Sequence, residues 1–204
     1  MDDFLEQVAG RKHSGLYTVL YYLMWLLIII FGFQALLYFS GVMGVDEEGN
    51  FQFGWINLII AVVFGGLTFL LWRRKDYCRV EFDYTFTNGT FDISEVLNNK
   101  RRRYLCQVEM KDVVHAGPVQ SPVFQKMLKE SGVKKLNWFL NRDAHLYFFY
   151  FVKKNVKHLA IVELTDEMIE TMRSKSTYIQ RGVWSDEHGN TSYNFAPAKT
   201  KLPE

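Results

Sequence analysis

The residues best suited to covalent or metal chemistry in this 204-residue chain are Cys78 and Cys106 and five histidines, His13, His115, His145, His158 and His188. Metal sites gather such side chains at short, paired offsets, and no such pairing occurs here. A Cys-His nucleophile needs a thiol activated by a neighbouring base or cation, and nothing in the sequence marks either cysteine in that way. Two cysteines make no disulfide framework, although strands could bring them together. In a cytosolic domain they read as reduced, buried or half-buried thiols. Asp166 and Glu167 are adjacent carboxylates, but the first turn of a helix accounts for both. Phosphate-cradling and dinucleotide-binding glycine loops are missing. No catalytic residue, cofactor or metal is therefore expected. A small membrane enzyme would have to gather ionisable groups from distant strands into a deep pocket.

The most conspicuous charged cluster is Lys100, Arg101, Arg102 and Arg103. Near a membrane, such a run can contact anionic lipid, at about 1 kcal/mol per cation. It can equally be a solvated turn whose cations protect a sheet edge, or a contact for a protein partner. The formal net charge of +2 argues against a nucleic-acid partner for the chain as a whole.

The elements around that cluster fall into two physical classes, which the mean hydropathy of -0.08 averages away. Between His13 and Asp46 there is no Asp, Glu, Lys or Arg. The run from Leu16 to about Ser40 is long enough, at ~1.5 Å per residue, to cross a ~30 Å hydrocarbon core with some tilt. A second run, Trp55 to Trp72, is just long enough, with tryptophans at both ends where interfacial rings sit. Both exceed an ordinary core helix, and the first exceeds a cleaved leader. Gly32 and Ala35, with Ala61, Gly65 and Gly66, suggest close helix approach, and Gln34 and Asn57 suggest a hydrogen bond across the pair. No intramembrane charge suggests transport.

Arg11 and Lys12 precede the first span; Arg73, Arg74 and Lys75 follow the second. The loop between them carries Asp46, Glu47 and Glu48 but no cation. The positive-inside bias places both termini in the cytoplasm, in a multi-pass protein of the plasma membrane. Asp76 to Arg79 alone separate the second span from the next element, so a following domain starts within ~15 Å of the bilayer.

That domain reads as β-rich. Val80, Phe82, Tyr84 and Phe86 alternate with Glu81, Asp83, Thr85 and Thr87, a half-buried strand. Asn88-Gly89 suits a two-residue type I′ hairpin, whose register sets Phe86 against Phe91 and Tyr84 against Ile93. A third strand is expected over Arg103 to Val114, ending at Gly117-Pro118. A short helix is expected over Pro122 to Glu130 and a strand over Leu136 to Leu140. His145 to Val152 and Lys157 to Leu164 read as a strand pair rich in aromatic and β-branched residues. Thr165 is a suitable N-cap for an amphipathic helix with Met168, Ile169 and Met172 on one face.

The expected domains are a cytoplasmic N-terminal segment (1–15), a transmembrane hairpin (16–75, spans about 16–40 and 55–72), a β-rich domain (76–175) and a loosely ordered tail (176–204). Trp184 and Phe195 are expected to dock from that tail.

Hairpin-connected strands ending in one amphipathic helix resemble the pleckstrin-homology-like fold. The phrases "YTFTNGTFDI", "KRRR" and "VELTDEMIETM" resemble an uncharacterised bacterial family of two-span membrane proteins with such a cytoplasmic domain. The resemblance implies an α+β protein with membrane helices: a two-helix transmembrane hairpin, then an antiparallel β domain capped by a C-terminal helix. It implies no activity. Headgroup-gripping pleckstrin-homology domains use a basic loop between their first two strands, whereas Asn88-Gly89 is tight and uncharged. The expected function is a membrane-anchored interaction or scaffold module, binding a protein partner or itself. An inner-leaflet sensor of anionic lipid is the alternative.

Overall fold

The computed structural model describes residues 3–45, 49–174, 178–180 and 182–191. In chain order its elements are β1 (Phe4–Ala9), α1 (Gly15–Ser40), β2 (Met43–Val45), β3 (Phe51–Phe53), α2 (Trp55–Arg74), β4 (Val80–Thr87), β5 (Thr90–Leu97), β6 (Arg101–Glu109), β7 (Val113–Pro118), α3 (Pro122–Lys129), β8 (Val133–Trp138), β9 (Leu146–Lys153), β10 (Val156–Glu163) and α4 (Asp166–Ser174). The chain separates into two compact units. One holds His13–Val80 and Leu97–Arg101; the other holds Met1–Lys12, Glu81–Val96 and Arg102–Glu204.

The helical unit is built on two helices long and apolar enough to cross a membrane. At ~1.5 Å per residue, α1 reaches ~39 Å and α2 ~30 Å. Tyr38 stacks on Phe64, and Phe31 leans on the same ring. Asn57 does not reach Gln34 as expected; its Nδ2 donates to the Gly41 carbonyl at 2.7 Å. The small residues divide: a Cβ at Gly32 would lie 3.7 Å from Thr68 of α2 and Ala61 is buried, as close approach requires, while Gly65 and Gly66 depart from expectation. A Cβ added at Gly65 or Gly66 would meet nothing within 4 Å, so neither glycine marks the line of closest helix approach. Gly32, Ala35, Leu58, Ala61, Gly65 and Thr68 line an open apolar groove along the hairpin.

In the other unit, one sheet has the order β1-β4-β5-β6 and a second has the order β7-β9-β10-β8. Asn88 and Gly89 adopt φ 48° and 88°, the doubly positive geometry of the expected β4–β5 turn. Phe86, Phe91, Tyr84 and Ile93 are fully buried. They form one core with Phe149, Phe151, Ala160 and Val162 of the second sheet and Met168, Ile169 and Met172 of α4. The outer face of the second sheet is apolar as well. Phe148, Tyr150 and Leu159 pack beneath Phe124 and Met127 of α3. Burial on both faces explains why β9 reads as an unbroken apolar run. Thr165 caps α4, its Oγ1 accepting from the Met168 amide at 3.4 Å, and Ser121 caps α3 from the Phe124 amide at 3.2 Å.

Four expectations are corrected. Residues 4–9, read only as lead-in to the first span, form an antiparallel edge strand on β4, with Leu5 opposite Phe86 and Gln7 opposite Tyr84. The single strand expected over 103–114 is two strands in different sheets, divided by a 3-10 turn at Met110–Asp112. β8 lies parallel to β10 at an edge, which a simple series of hairpins would not produce. The described part of the tail is ordered: Ile179 is fully buried, and Trp184 packs against Tyr147 and Phe149. Its neighbours pair with β7, the Ala116 amide donating to the Val183 carbonyl at 3.0 Å and the Ser185 amide to the Ala116 carbonyl at 2.8 Å. Phe195 lies outside the described residues. The two cysteines form no disulfide: Cys78 lies in the helical unit and Cys106 on β6.

Candidate interaction site

The basic run is displayed where the β5–β6 connection turns sharply. Asn98 and Asn99 both take φ 51°, and the Lys100 amide closes the turn on the Leu97 carbonyl at 3.1 Å. Asparagine tolerates this left-handed backbone better than most residues because its short amide bonds locally. Its cations then diverge. In the helical unit, Arg101 Nη2 lies 3.7 Å from Asp76 Oδ2. In the β unit, Arg102 pairs with Asp83 and, at 3.6 Å, with Glu6, while Arg103 Nη2 meets Glu95 Oε2 at 2.8 Å.

The two sides of these pairs differ in exposure. All three arginine side chains are more than half exposed, whereas the Asp76, Asp83 and Glu95 side chains are 8–13% exposed. Exposed ion pairs contribute only about 0–1 kcal/mol. A carboxylate held largely out of water, however, costs several times that if left unpaired. Each arginine thus neutralises a sheltered anion. Lys100 is the member of the run with no carboxylate partner among the described residues.

The expected topology cations are also placed. Arg73 and Arg74 end α2 as exposed side chains and complement its C-terminal dipole. Lys75 is different: it is buried, its Nζ 2.9 Å from Asp76 Oδ1 and over the rings of Trp25 and Trp72 at 5.1 and 5.8 Å. Asn98 Nδ2 donates to the same carboxylate at 3.1 Å and to Tyr21 Oη at 3.4 Å. Arg79 lies over Tyr21 at 4.1 Å. The foot of the hairpin is therefore a hydrogen-bonded knot around Asp76. Sequence reasoning missed it because Tyr21, Asp76 and Asn98 are far apart along the chain.

Lys12 and Arg11 follow β1. The Lys12 amide donates to Asn141 Oδ1 at 2.9 Å, and its ammonium lies 3.5 Å from Asp143. Asn141 Nδ2 in turn donates to the Gly10 carbonyl at 2.8 Å and to both Glu163 oxygens. Tyr84 Oη donates to the Trp138 carbonyl. Burial pushes the Tyr84 phenol far above its ordinary range, which keeps it a neutral donor. This network secures the segment that leads toward α1, and it too was not legible from spacing.

The groups that could do chemistry are dispersed. Burial pushes the Cys106 thiol up, only partly offset by Lys153, whose Nζ is 4.0 Å away. Burial and Lys126 together push the His115 imidazole down. Lys157, 2.5 Å from Glu130, holds that carboxyl below its usual range. Asp166 and Glu167 sit in the first turn of α4. Among the described residues no group of three or more His, Cys, Asp or Glu could hold a metal ion.

A family model described as "Bacterial PH-like domain (DUF6106)" matches residues 1–183, both units included. No curated protein matches the chain, and no solved structure does.

Proposed function

The chain belongs to that bacterial PH-like domain family, and from this premise we propose that it is a membrane-anchored, non-catalytic interaction module. The hairpin α1–α2 spans the plasma membrane, with both termini and the two-sheet domain in the cytoplasm. The observation that carries this reading is the charge placement. Exposed Arg73 and Arg74 end α2, Arg11 and Lys12 precede α1, and the 41–54 connection has no cation. Anchoring raises the effective concentration of the domain for any membrane-proximal partner.

The partner is a protein or a second copy, engaged along the edges of the first sheet. Phe4 and Val8 of the edge strand β1 are 60% and 58% exposed, and Tyr104 of β6 is 59% exposed. Edge strands with exposed apolar side chains are natural sites of strand addition. A photoreactive residue at position 8 or 104 of the full chain in native membranes should capture one stoichiometric partner. Retention of the capture at position 8 after Phe4→Lys would count against this surface.

A second reading, contact with anionic lipid, rests on Lys100 alone of the basic run, since the three arginines already have carboxylate partners. Binding of anionic vesicles that falls with Lys100→Ala would favour it; binding unchanged by that substitution would remove it.

A further inference from the structure

We propose that the ribbon of β2 and β3 is a lipid-contact surface, resting its apolar face in the interfacial layer of the leaflet at that end of the hairpin. The inference rests on the membrane reading of α1 and α2. In the ribbon Met43 lies opposite Phe53, Gly44 opposite Gln52, and Val45 opposite Phe51. Side chains alternate along a strand. Met43, Val45, Phe51 and Phe53 therefore share one face, and Gly44 and Gln52 the other. Among the described residues nothing covers the apolar face: Met43 and Val45 are each 71% exposed and Phe51 66%. An isolated two-stranded ribbon is marginal in water, so this one needs a cover.

The ribbon is also held in place. Val42 is buried, and its carbonyl accepts from the Gly54 amide at 2.8 Å. Asn57 Nδ2 grips the Gly41 carbonyl, and a Cβ at Gly54 would sit 2.9 Å from that same oxygen. Phe53 packs edge-on against Trp55 at 4.5 Å, at the start of α2. The ribbon is thus an extension of the two helix ends.

Lipid is the occupant because the ribbon continues surfaces that already face lipid. From Leu16 to Val45 and from Gly49 to Trp72 there is no Asp, Glu, Lys or Arg; the only charges of the connection are Asp46, Glu47 and Glu48. Three residues at ~3.3 Å each make a ribbon ~10 Å long. That is close to the ~5–8 Å interfacial layer outside the hydrocarbon core once the ribbon tilts. Its face would then lie at the level of Trp55, where amphipathic rings collect.

The test uses the full chain in phosphatidylcholine–phosphatidylglycerol vesicles, with Cys78→Ser and Cys106→Ser and one nitroxide-labelled cysteine at a time. Positions 44, 45, 51 and 52 probe the ribbon; 29 and 62 probe the spans. The proposal expects oxygen to relax the labels at 45 and 51 several-fold more effectively than a water-soluble nickel chelate, and the reverse at 44 and 52. Four separate sites keep the pattern readable if one variant misfolds. All four ribbon sites aqueous, with 29 and 62 in lipid, would overturn the ribbon proposal alone. Labels at 45 and 51 shielded from both agents would overturn it in favour of a protein contact. Aqueous labels at 29 and 62 would overturn the membrane reading and the ribbon proposal together.

Discussion

Gln7 and Thr165, 158 positions apart, are joined by two hydrogen bonds: the Thr165 amide donates to Gln7 Oε1 at 2.9 Å and the Thr165 hydroxyl to the same oxygen at 3.2 Å. Gln7 Nε2 also donates to the Glu163 carbonyl at 3.0 Å. The strand that precedes α1 thus secures the cap of α4, the last helix of the domain. Gln7→Ala should destabilise the β unit by about 1 kcal/mol, since it removes one part-buried and two exposed hydrogen bonds. Denaturant unfolding of the full chain in detergent, followed through Cys106 labelling, measures it. An unchanged midpoint would show that β1 is dispensable to the domain.

The basic run should divide by role. Arg102→Ala strands the sheltered Asp83 carboxylate and should cost about 1–2 kcal/mol, discounted because the guanidinium is more than half exposed. Lys100→Ala should change stability by less than about 0.5 kcal/mol. Equal effects of the two substitutions, measured in the same unfolding assay, would contradict the pairing described above.

Gly117 is required by space. A Cβ there would lie 2.5 Å from the Ser185 carbonyl oxygen and 2.6 Å from its hydroxyl. Gly117→Ala should push segment 183–185 off β7 at a cost of about 1–3 kcal/mol. Hydrogen exchange at the Ser185 amide, bonded to Ala116, should speed up by about tenfold for each 1.4 kcal/mol lost. Unaltered protection at that amide would mean the segment can adjust.

His115 gives the β unit a dependence on acid. Burial, reinforced by Lys126, lowers its folded pKa below the ordinary imidazole value of about 6.5. The folded state therefore binds fewer protons than the unfolded chain in that range. The stability this provides is complete above about pH 6.5 and declines as pH falls toward the lower folded value. Comparing Tm from pH 8 to pH 5 for the native chain and His115→Phe should show a shallower acid-side slope in the variant. Identical slopes would assign the dependence to other groups.

Much of this architecture is legible in the sequence because its signals are local. Uncharged length identifies the two helices, Asn88-Gly89 identifies a turn with two positive φ values, and Thr165 identifies a cap. The amphipathic face Met168, Ile169 and Met172 is buried as its spacing requires. The remainder depends on partners distant in the chain. β1 is six residues with apolar side chains on both faces, Phe4 and Val8 outward and Leu5 and Ala9 inward, so alternation there does not identify the buried side. Tyr104 extends an apparent alternation, yet it is exposed while Leu105 packs on the core. The partners of Lys75 and of Arg101 to Arg103 come from other elements or from the turn beyond α2, and no spacing rule connects them. The β2–β3 ribbon did leave a local signal, Met43-Gly44-Val45 and Phe51-Gln52-Phe53, overshadowed by the acidic residues between.

Single cysteines at Asn50 and Asn155, in a chain with Cys78→Ser and Cys106→Ser, give the most direct test of membrane anchoring with a cytoplasmic domain. A membrane-impermeant maleimide added to intact cells is predicted to label position 50 and to reach position 155 only after permeabilisation. Labelling of position 155 in intact cells, or of position 50 only after lysis, would contradict the account.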